Sequence, residues 1–279
     1  MEKDILLTTQ QEFDLSNTSF LYLKMLASRC GIDLKEYKRN LFYNRLYKRI
    51  RFLNLESIDE YCNLLRIDIE EELKFINLLT NPTTYFFREP HHFENLAKIF
   101  IPELLAHTNK IRIWSAGCST GEEAYSIAIV LHETITNINN YDIKILATDI
   151  NSESLNKAEN GLYDCDEIEK ISHLRQKIWF DKVNTAHGEF FQVSKKLKDL
   201  ITFNQLNLMD PWPIKSTFDI IFSRNVLIYF QKDIIDIIIR KFYSLLNDNG
   251  ILILGHSETL DENKFNLKNI GTTTYRKIS

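Results

Sequence analysis

The hydrophobic pattern changes period once along the chain. In the first third, Phe42, Leu46, Ile50 and Leu53 recur at helical spacing. SIDEYCNLLR then opens on Ser57, a capping residue type, with Glu60 three positions later, and EEELKFINLLT follows as another amphipathic helix. No glycine interrupts the chain between Gly31 and Gly117. The pattern predicts an all-helical N-terminal domain over residues 1–88. Beyond it, IRIWSA (111–116), IKILATD (143–149), ITFNQLN (201–207), FDIIFSRN (218–225) and GILILGH (250–256) are short continuous apolar runs. Helical stretches separate most of them: EEAYSIAIVLHETI, SESLNKAENG and DIIDIIIRKFYSLL. Buried strands alternating with helices predict a parallel α/β sheet covered on both faces, over residues 89–279. One interval breaks the alternation. Between about 160 and 200, KIWFDKV and GEFFQVSKKL flank a polar turn near Gly188, which predicts a small antiparallel β hairpin inserted as a subdomain.

Composition narrows the classes. The chain has 279 residues, 44% hydrophobic and 26% charged, as in a globular protein with a sizeable core. Its net charge of -4 argues against a general nucleic-acid binder, and no nucleic-acid partner is expected. Cys30, Cys62, Cys118 and Cys165 are widely spaced, without C-x-x-C, which fits free thiols in the cytoplasm and neither a disulfide framework nor a structural metal. The N-terminal segment lacks the apolar core of a secretory signal, and no run is long enough to span a bilayer, so no integral membrane segment is expected.

The candidate chemistry begins at SAGCSTGEE. In a parallel α/β sheet, ligands lie beyond the carboxyl ends of the strands. Ala116, Gly117, Ser119 and Gly121 keep bulk away there, so main chain can approach a flat ligand closely. The spacing is G-x-x-x-G rather than the G-x-G-x-x-G of a pyrophosphate turn, and Glu122 and Glu123 at the helix start would repel phosphate. This weighs against a nicotinamide enzyme. A cationic ligand without phosphate fits better, and S-adenosylmethionine is such a molecule. Asp149, in ATDIN at the end of the next strand, can then accept both ribose hydroxyls.

Several stretches carry a resemblance. TTYFFREPHHF (83–93), WSAGCSTGEEAYSIA (114–128), ATDIN (147–151), LNLMD (206–210) and FSRNVLIYF (222–230) resemble the CheR family of chemotaxis-receptor glutamate O-methyltransferases, in the family's order, from about residue 20 onward. The resemblance implies a Rossmann-like S-adenosylmethionine-dependent methyltransferase domain with a small β subdomain, preceded by a helical domain. Its cofactor contacts fall on Thr84, Arg88, Gly117, Glu123, Asp149, Asn207, Leu208, Arg224 and Asn225. Pro82 stands where the family usually has asparagine, two residues before the threonine of T-x-F-F-R. Either Asn81 still reaches the ligand through a shifted loop, with Thr83 in the threonine's role, or that contact is absent. The implied reaction makes a glutamate methyl ester and S-adenosylhomocysteine on chemoreceptor helices; the alternative is methylation of another protein or a small molecule. A third possibility is a non-catalytic cofactor sensor that only binds the receptor. Nucleic-acid amino-methylation would call for an Asn/Asp-Pro-Pro-aromatic segment, and SRNVLIYF has no proline.

A free glutamate has a pKa of about 4.3, so the nucleophile is already ionised and neither a general base nor a metal is needed. What remains is orientation. Arg88 can hold a carboxylate in a planar fork, with a surface salt bridge as the plain alternative. Tyr229, near a strand end, can donate its hydroxyl or merely pack beside Phe230. In KEYKRNLFYNRLYKRIR (35–51), seven basic residues face one acid, and Lys38, Arg45 and Arg49 line one helical stripe. That stripe is expected to dock the acidic receptor helices unless it is simply a solvated face. A monomer is expected.

Overall fold

The computed structural model describes residues 18–32, 34, 39–80, 83–185 and 188–278. Lys38 and Asn81 lie outside them. The chain divides into two compact units, Met1–Leu79 and Thr80–Ser279, so the division falls ahead of residue 88.

The described part of the first unit is helical: α1 (Thr18–Arg29), α2 (Arg39–Phe52), α3 (Ile58–Ile67) and α4 (Ile69–Leu79). Ser57 caps α3 by accepting the Glu60 amide at 3.1 Å, while the Glu60 carboxylate reaches back to the Glu56 amide at 2.9 Å. Phe42, Leu46 and Ile50 are buried. Phe42 meets Phe75 edge-on at 6.0 Å and Tyr61 lies 6.4 Å from Phe75, so α2, α3 and α4 share one aromatic core.

Beneath those rings lies an ion pair that changes the reading of α2. Arg49 grips Glu71 with two nitrogens, at 2.9 and 2.6 Å, and Tyr61 donates to the same carboxylate at 3.0 Å. Arg45 donates to the Leu78 carbonyl at 3.3 Å. Arg45 and Arg49 of the expected docking stripe thus find partners inside their own unit, as long basic side chains can reach across from α2 to α4. Among the described side chains, the exposed cations of this helix are Lys48 and Arg51.

The second unit opens with α5 (Pro90–Asn95), a π-turn over Leu96–Phe100 and α6 (Ile101–Leu105). Then come β1 (Lys110–Ala116), α7 (Glu122–Thr134), β2 (Asp142–Asp149) and α8 (Ser152–Asn160). The insert holds β3 (Leu162–Asp164), α9 (Cys165–Ile168), α10 (His173–Trp179), β4 (Phe180–Thr185), β5 (Gly188–Val193) and α11 (Lys195–Lys198). The chain ends with β6 (Ile201–Gln205), β7 (Phe218–Ser223), α12 (Lys232–Leu245), β8 (Leu246–Leu254), α13 (Glu262–Phe265), β9 (Leu267–Gly271) and β10 (Thr274–Lys277).

Seven strands form the main sheet in the order β6-β2-β1-β7-β8-β10-β9. The first five are parallel where they pair; β10 runs antiparallel to both β8 and β9, so the sheet is mixed rather than wholly parallel. That closing hairpin was not visible in the apolar pattern, because KNIG and TYRK carry too few apolar residues. The insert is a three-stranded antiparallel sheet, β3-β5-β4, rather than a hairpin alone. The KIW of KIWFDKV belongs to α10, and the strand starts at Phe180. Trp114, Phe222 and Phe242 are fully buried. Trp114 stacks its edges on Trp212 and Phe242 at 5.0 and 5.2 Å, pinning α12 to the face of β1. Chain order reverses between β1 and β7, the place where a doubly wound sheet opens a crevice at its carboxyl edge.

Candidate functional site

Five parallel strands deliver their ends to that edge. After β1 the amides of Gly117 and Cys118 both donate to the Thr148 carbonyl, at 2.7 and 2.9 Å, which folds the loop over the end of β2. Gly117 has φ 94°, and a Cβ there would stand 2.2 Å from the Val226 side chain. Gly121, with φ 98°, starts α7, and its Cβ would meet Ala158 at 2.8 Å. Both positions therefore exclude any other residue without strain.

Asp149 ends β2. Its Oδ2 accepts the Ser119 amide at 2.8 Å and its Oδ1 the Asn151 amide at 2.9 Å. Burial pushes its pKa up, opposed by these backbone bonds. A carboxylate offers about four acceptor sites, so capacity remains for a diol. The Asn151 side chain donates to Thr80 at 2.7 Å, which ties the start of the segment running to Arg88 to the end of β2.

Arg224 follows β7 and is buried. It donates to Glu123 at 3.0 Å, lies 3.2 Å from Glu89 and bonds the Arg88 carbonyl. Glu123 also accepts the Ser115 hydroxyl at 2.6 Å. The structure thus brings Glu123, Arg224 and the Arg88 backbone together, but their polar ends face one another. Burial would raise the Glu89 pKa, but the Arg224 charge and bonds from His256 outweigh it and hold the carboxyl at about 2. Glu122, adjacent to Glu123, has no arginine. Its oxygens accept only the Thr120 hydroxyl among the described side chains, and burial pushes its pKa up to about 7.

Asn225 takes the left-handed conformation, φ 59°, at the mouth of the turn after β7. Tyr229 sits on a 3-10 turn, Leu227–Tyr229, beyond the strand rather than near its end. It is half-buried. Arg88, also half-buried, donates to the Thr83 carbonyl at 2.9 Å, and its guanidinium lies 5.9 Å from the Tyr85 ring. Thr83 is exposed and Thr84 half-buried. Asn207 follows β6, where its side chain accepts the Met209 amide at 3.0 Å, and the Leu206 amide donates to the Asp149 carbonyl at 2.9 Å. The Leu208 side chain is core, and its carbonyl accepts Trp212 at 3.2 Å.

Glu89, His91 and His92 form a trio whose ligand-type atoms lie within 4.8 Å of one another. Arg224 already supplies the cation there. Burial first, and then the Arg224 charge, lower the His92 pKa to about 4, and His92 donates to the Thr272 carbonyl at 3.1 Å as a neutral ring. His91 and His92 belong to the first turn of α5.

Two residues at this edge were not foreseen, Glu89 and Glu258. Glu89 is the acid of FFRE, within the segment 83–93 that carries the family resemblance. Glu258 stands in GHSETL, after the glycine that closes β8, and an acid just past a strand end was the available signal.

Comparison with known proteins agrees with this geometry. The chain matches the family models described as "CheR methyltransferase, SAM binding domain" over residues 82–276 and "CheR methyltransferase, all-alpha domain" over residues 21–80. It is 44% identical to a "Probable chemotaxis protein methyltransferase" of Rhizobium etli, covering 90% of this chain and 96% of that one. It is 38% identical to a "Chemotaxis protein methyltransferase" of Borreliella burgdorferi, covering 91% and 92%. A Salmonella typhimurium "Chemotaxis protein methyltransferase" is 35% identical, covering 98% and 95%. With its sheet edge, its two domain matches and these full-length relatives, the chain belongs to the CheR methyltransferase family.

Proposed function

We propose that this protein transfers a methyl group from S-adenosylmethionine to glutamate side chains on the cytoplasmic helices of chemoreceptors, acting as a monomer in the cytoplasm. The observation that carries the reading is the pairing of Gly117, where no Cβ fits, with the Asp149 carboxylate across one backbone bond from Ser119. A loop of small residues beside an acid with spare acceptor capacity suits a ribose and adenine. Buried polar atoms without a partner at Ser119, Ser223 and Asn225 fit the same group.

When bound, S-adenosylmethionine supplies an activated methyl group. Asp149 would hold the ribose, the Gly117 loop and the Asn207 turn would flank the adenine, and Asn225 would contact the amino-acid end. Arg224 and Glu123 act as positioning residues, fixing the Arg88 backbone against the end of α7. Arg88 spends one nitrogen on Thr83, which leaves further donors of its fork for the incoming carboxylate. Tyr229 would donate its hydroxyl to that carboxylate or pack beside the transferred group. The glutamate arrives ionised, so the residues orient rather than deprotonate it, and the chemistry calls for no metal. Lys48 and Arg51, on the exposed face of α2, take over the docking role first given to Arg45 and Arg49.

The test is incubation with labelled S-adenosylmethionine and receptor cytoplasmic fragments. Base-labile label on receptor glutamate is the expected result. Base-stable label, or label only on a small molecule, would replace the substrate while leaving the transferase standing.

A further inference from the structure

We propose that Glu258 is a positioning residue for methyl transfer: its carboxylate clamps the turn that carries Asn225 and Tyr229. The turn needs a clamp. It leaves β7 through a left-handed Asn225 and a short 3-10 segment, so several of its amides have no ladder or helix partner. Glu258 supplies those partners from the end of β8. Its Oε1 accepts the amides of Leu227 at 2.7 Å and Ile228 at 3.3 Å; its Oε2 accepts Asn225 at 2.9 Å and Gly255 at 2.7 Å.

Two further observations make this a built feature. Glu258 is buried and, among the described residues, forms no ion pair, so four backbone donors are what offsets the cost of its burial. Gly255 makes room for it, because a Cβ there would stand 2.6 Å from the Asn225 side-chain nitrogen and 2.9 Å from Glu258 itself. The clamped turn also presses Val226 against Gly117, so the same carboxylate sets the wall of the cofactor loop and the placement of Tyr229. Glutamine, of equal size, could accept on one oxygen only, and its amide hydrogens would face the Asn225 and Gly255 donors.

The inference rests on the reading of Tyr229 as substrate-facing, and the test separates the two. Glu258→Gln, Tyr229→Phe and the double variant are compared by kcat on a receptor fragment, by calorimetry with S-adenosylhomocysteine, and by amide exchange of residues 225–228 in cofactor-free protein. Expected are exchange at least about tenfold faster in Glu258→Gln, and kcat about tenfold lower in each single variant. The double variant should fall no more than about twofold below the weaker single, because both act through one group. Additive losses, or unchanged exchange, overturn the proposal. Unchanged kcat in Tyr229→Phe overturns the role of the tyrosine, and this inference with it, while homocysteine-nucleoside affinity and receptor methylation still stand. Should Glu258→Gln not fold, the same cycle with Glu258→Asp decides.

Discussion

Two ion-paired arginines, the half-buried Arg49 and the buried Arg224, do different things in this chain. Arg49 lies in the helical unit with Glu71 on its fork and Tyr61 completing the acceptor set. Arg224 lies at the carboxyl edge of the sheet, divided among Glu123, Glu89 and a backbone carbonyl. The first is a closed pair in a packed aromatic core and holds helices together. The second is surrounded by left-handed residues (Phe87, Glu89, Ser119 and Asn225) and by unpartnered polar atoms. Strained backbone and spare hydrogen-bonding capacity are what a ligand site accumulates and a structural core eliminates. An ion-paired arginine therefore has no function by itself; its surroundings supply one.

The sharpest way to break the comparison is Glu71→Ala. It leaves the Arg49 charge and the Tyr61 hydroxyl without their acceptor, so the helical unit should lose about 3–5 kcal/mol in denaturant unfolding. A loss under about 1 kcal/mol would mean that Arg49 finds water easily and is no structural tie.

Glu122 tests what the arginine does, since it is a buried carboxyl next to Glu123 with no arginine among the described residues. Its folded pKa of about 7 lies above its unfolded value of about 4.5. Below pH 4.5 both states are protonated and no penalty arises. As pH climbs from 4.5 to 7 the unfolded chain ionises first, so stability should fall across that window by up to about 3 kcal/mol and then level off. Glu122→Gln should flatten this slope in melts at several pH values. An unchanged slope would place the titration elsewhere. Glu89, held at about 2 by Arg224 and His256, should contribute stability that is fully present above about pH 4.5 and is lost progressively as pH falls from there toward 2.

Arg224→Lys keeps the charge and removes the fork, so one ammonium cannot serve Glu123, Glu89 and the Arg88 carbonyl together. Receptor methylation should drop about 100-fold in kcat, with a much smaller change in S-adenosylhomocysteine affinity. Equal losses in both would make Arg224 a direct cofactor ligand. The smallest effect is on docking: Lys48→Glu with Arg51→Glu should raise the KM for receptor about two- to fivefold, less at high salt, with no change in melting temperature. Salt-independent kinetics would remove α2 from the interface.

The fold was legible wherever apolar runs are continuous. The five parallel strands and the helices between them follow from buried residues on both faces. The β9–β10 hairpin escaped because an edge hairpin half open to water has no such signature. At the site, Gly117 and Asp149 were legible because each sits where a strand ends, and a strand end is visible in one dimension. The partners of Arg45 and Arg49 were not legible because a basic stripe looks the same whether it faces solvent or the acceptors of a neighbouring helix. Glu258 went unread because its four partners are amides, which every residue has.

The sequence by itself determined the period of each segment, the chain's two-part organisation and the motifs that mark its family, since these depend on spacing along the backbone. Only the tertiary structure decided which charges are saturated and which are available, because that depends on what burial brings within 3 Å. Glu122 and Glu123 are adjacent and chemically identical. One meets Arg224 and the other the Thr120 hydroxyl, and no property of the dipeptide says which.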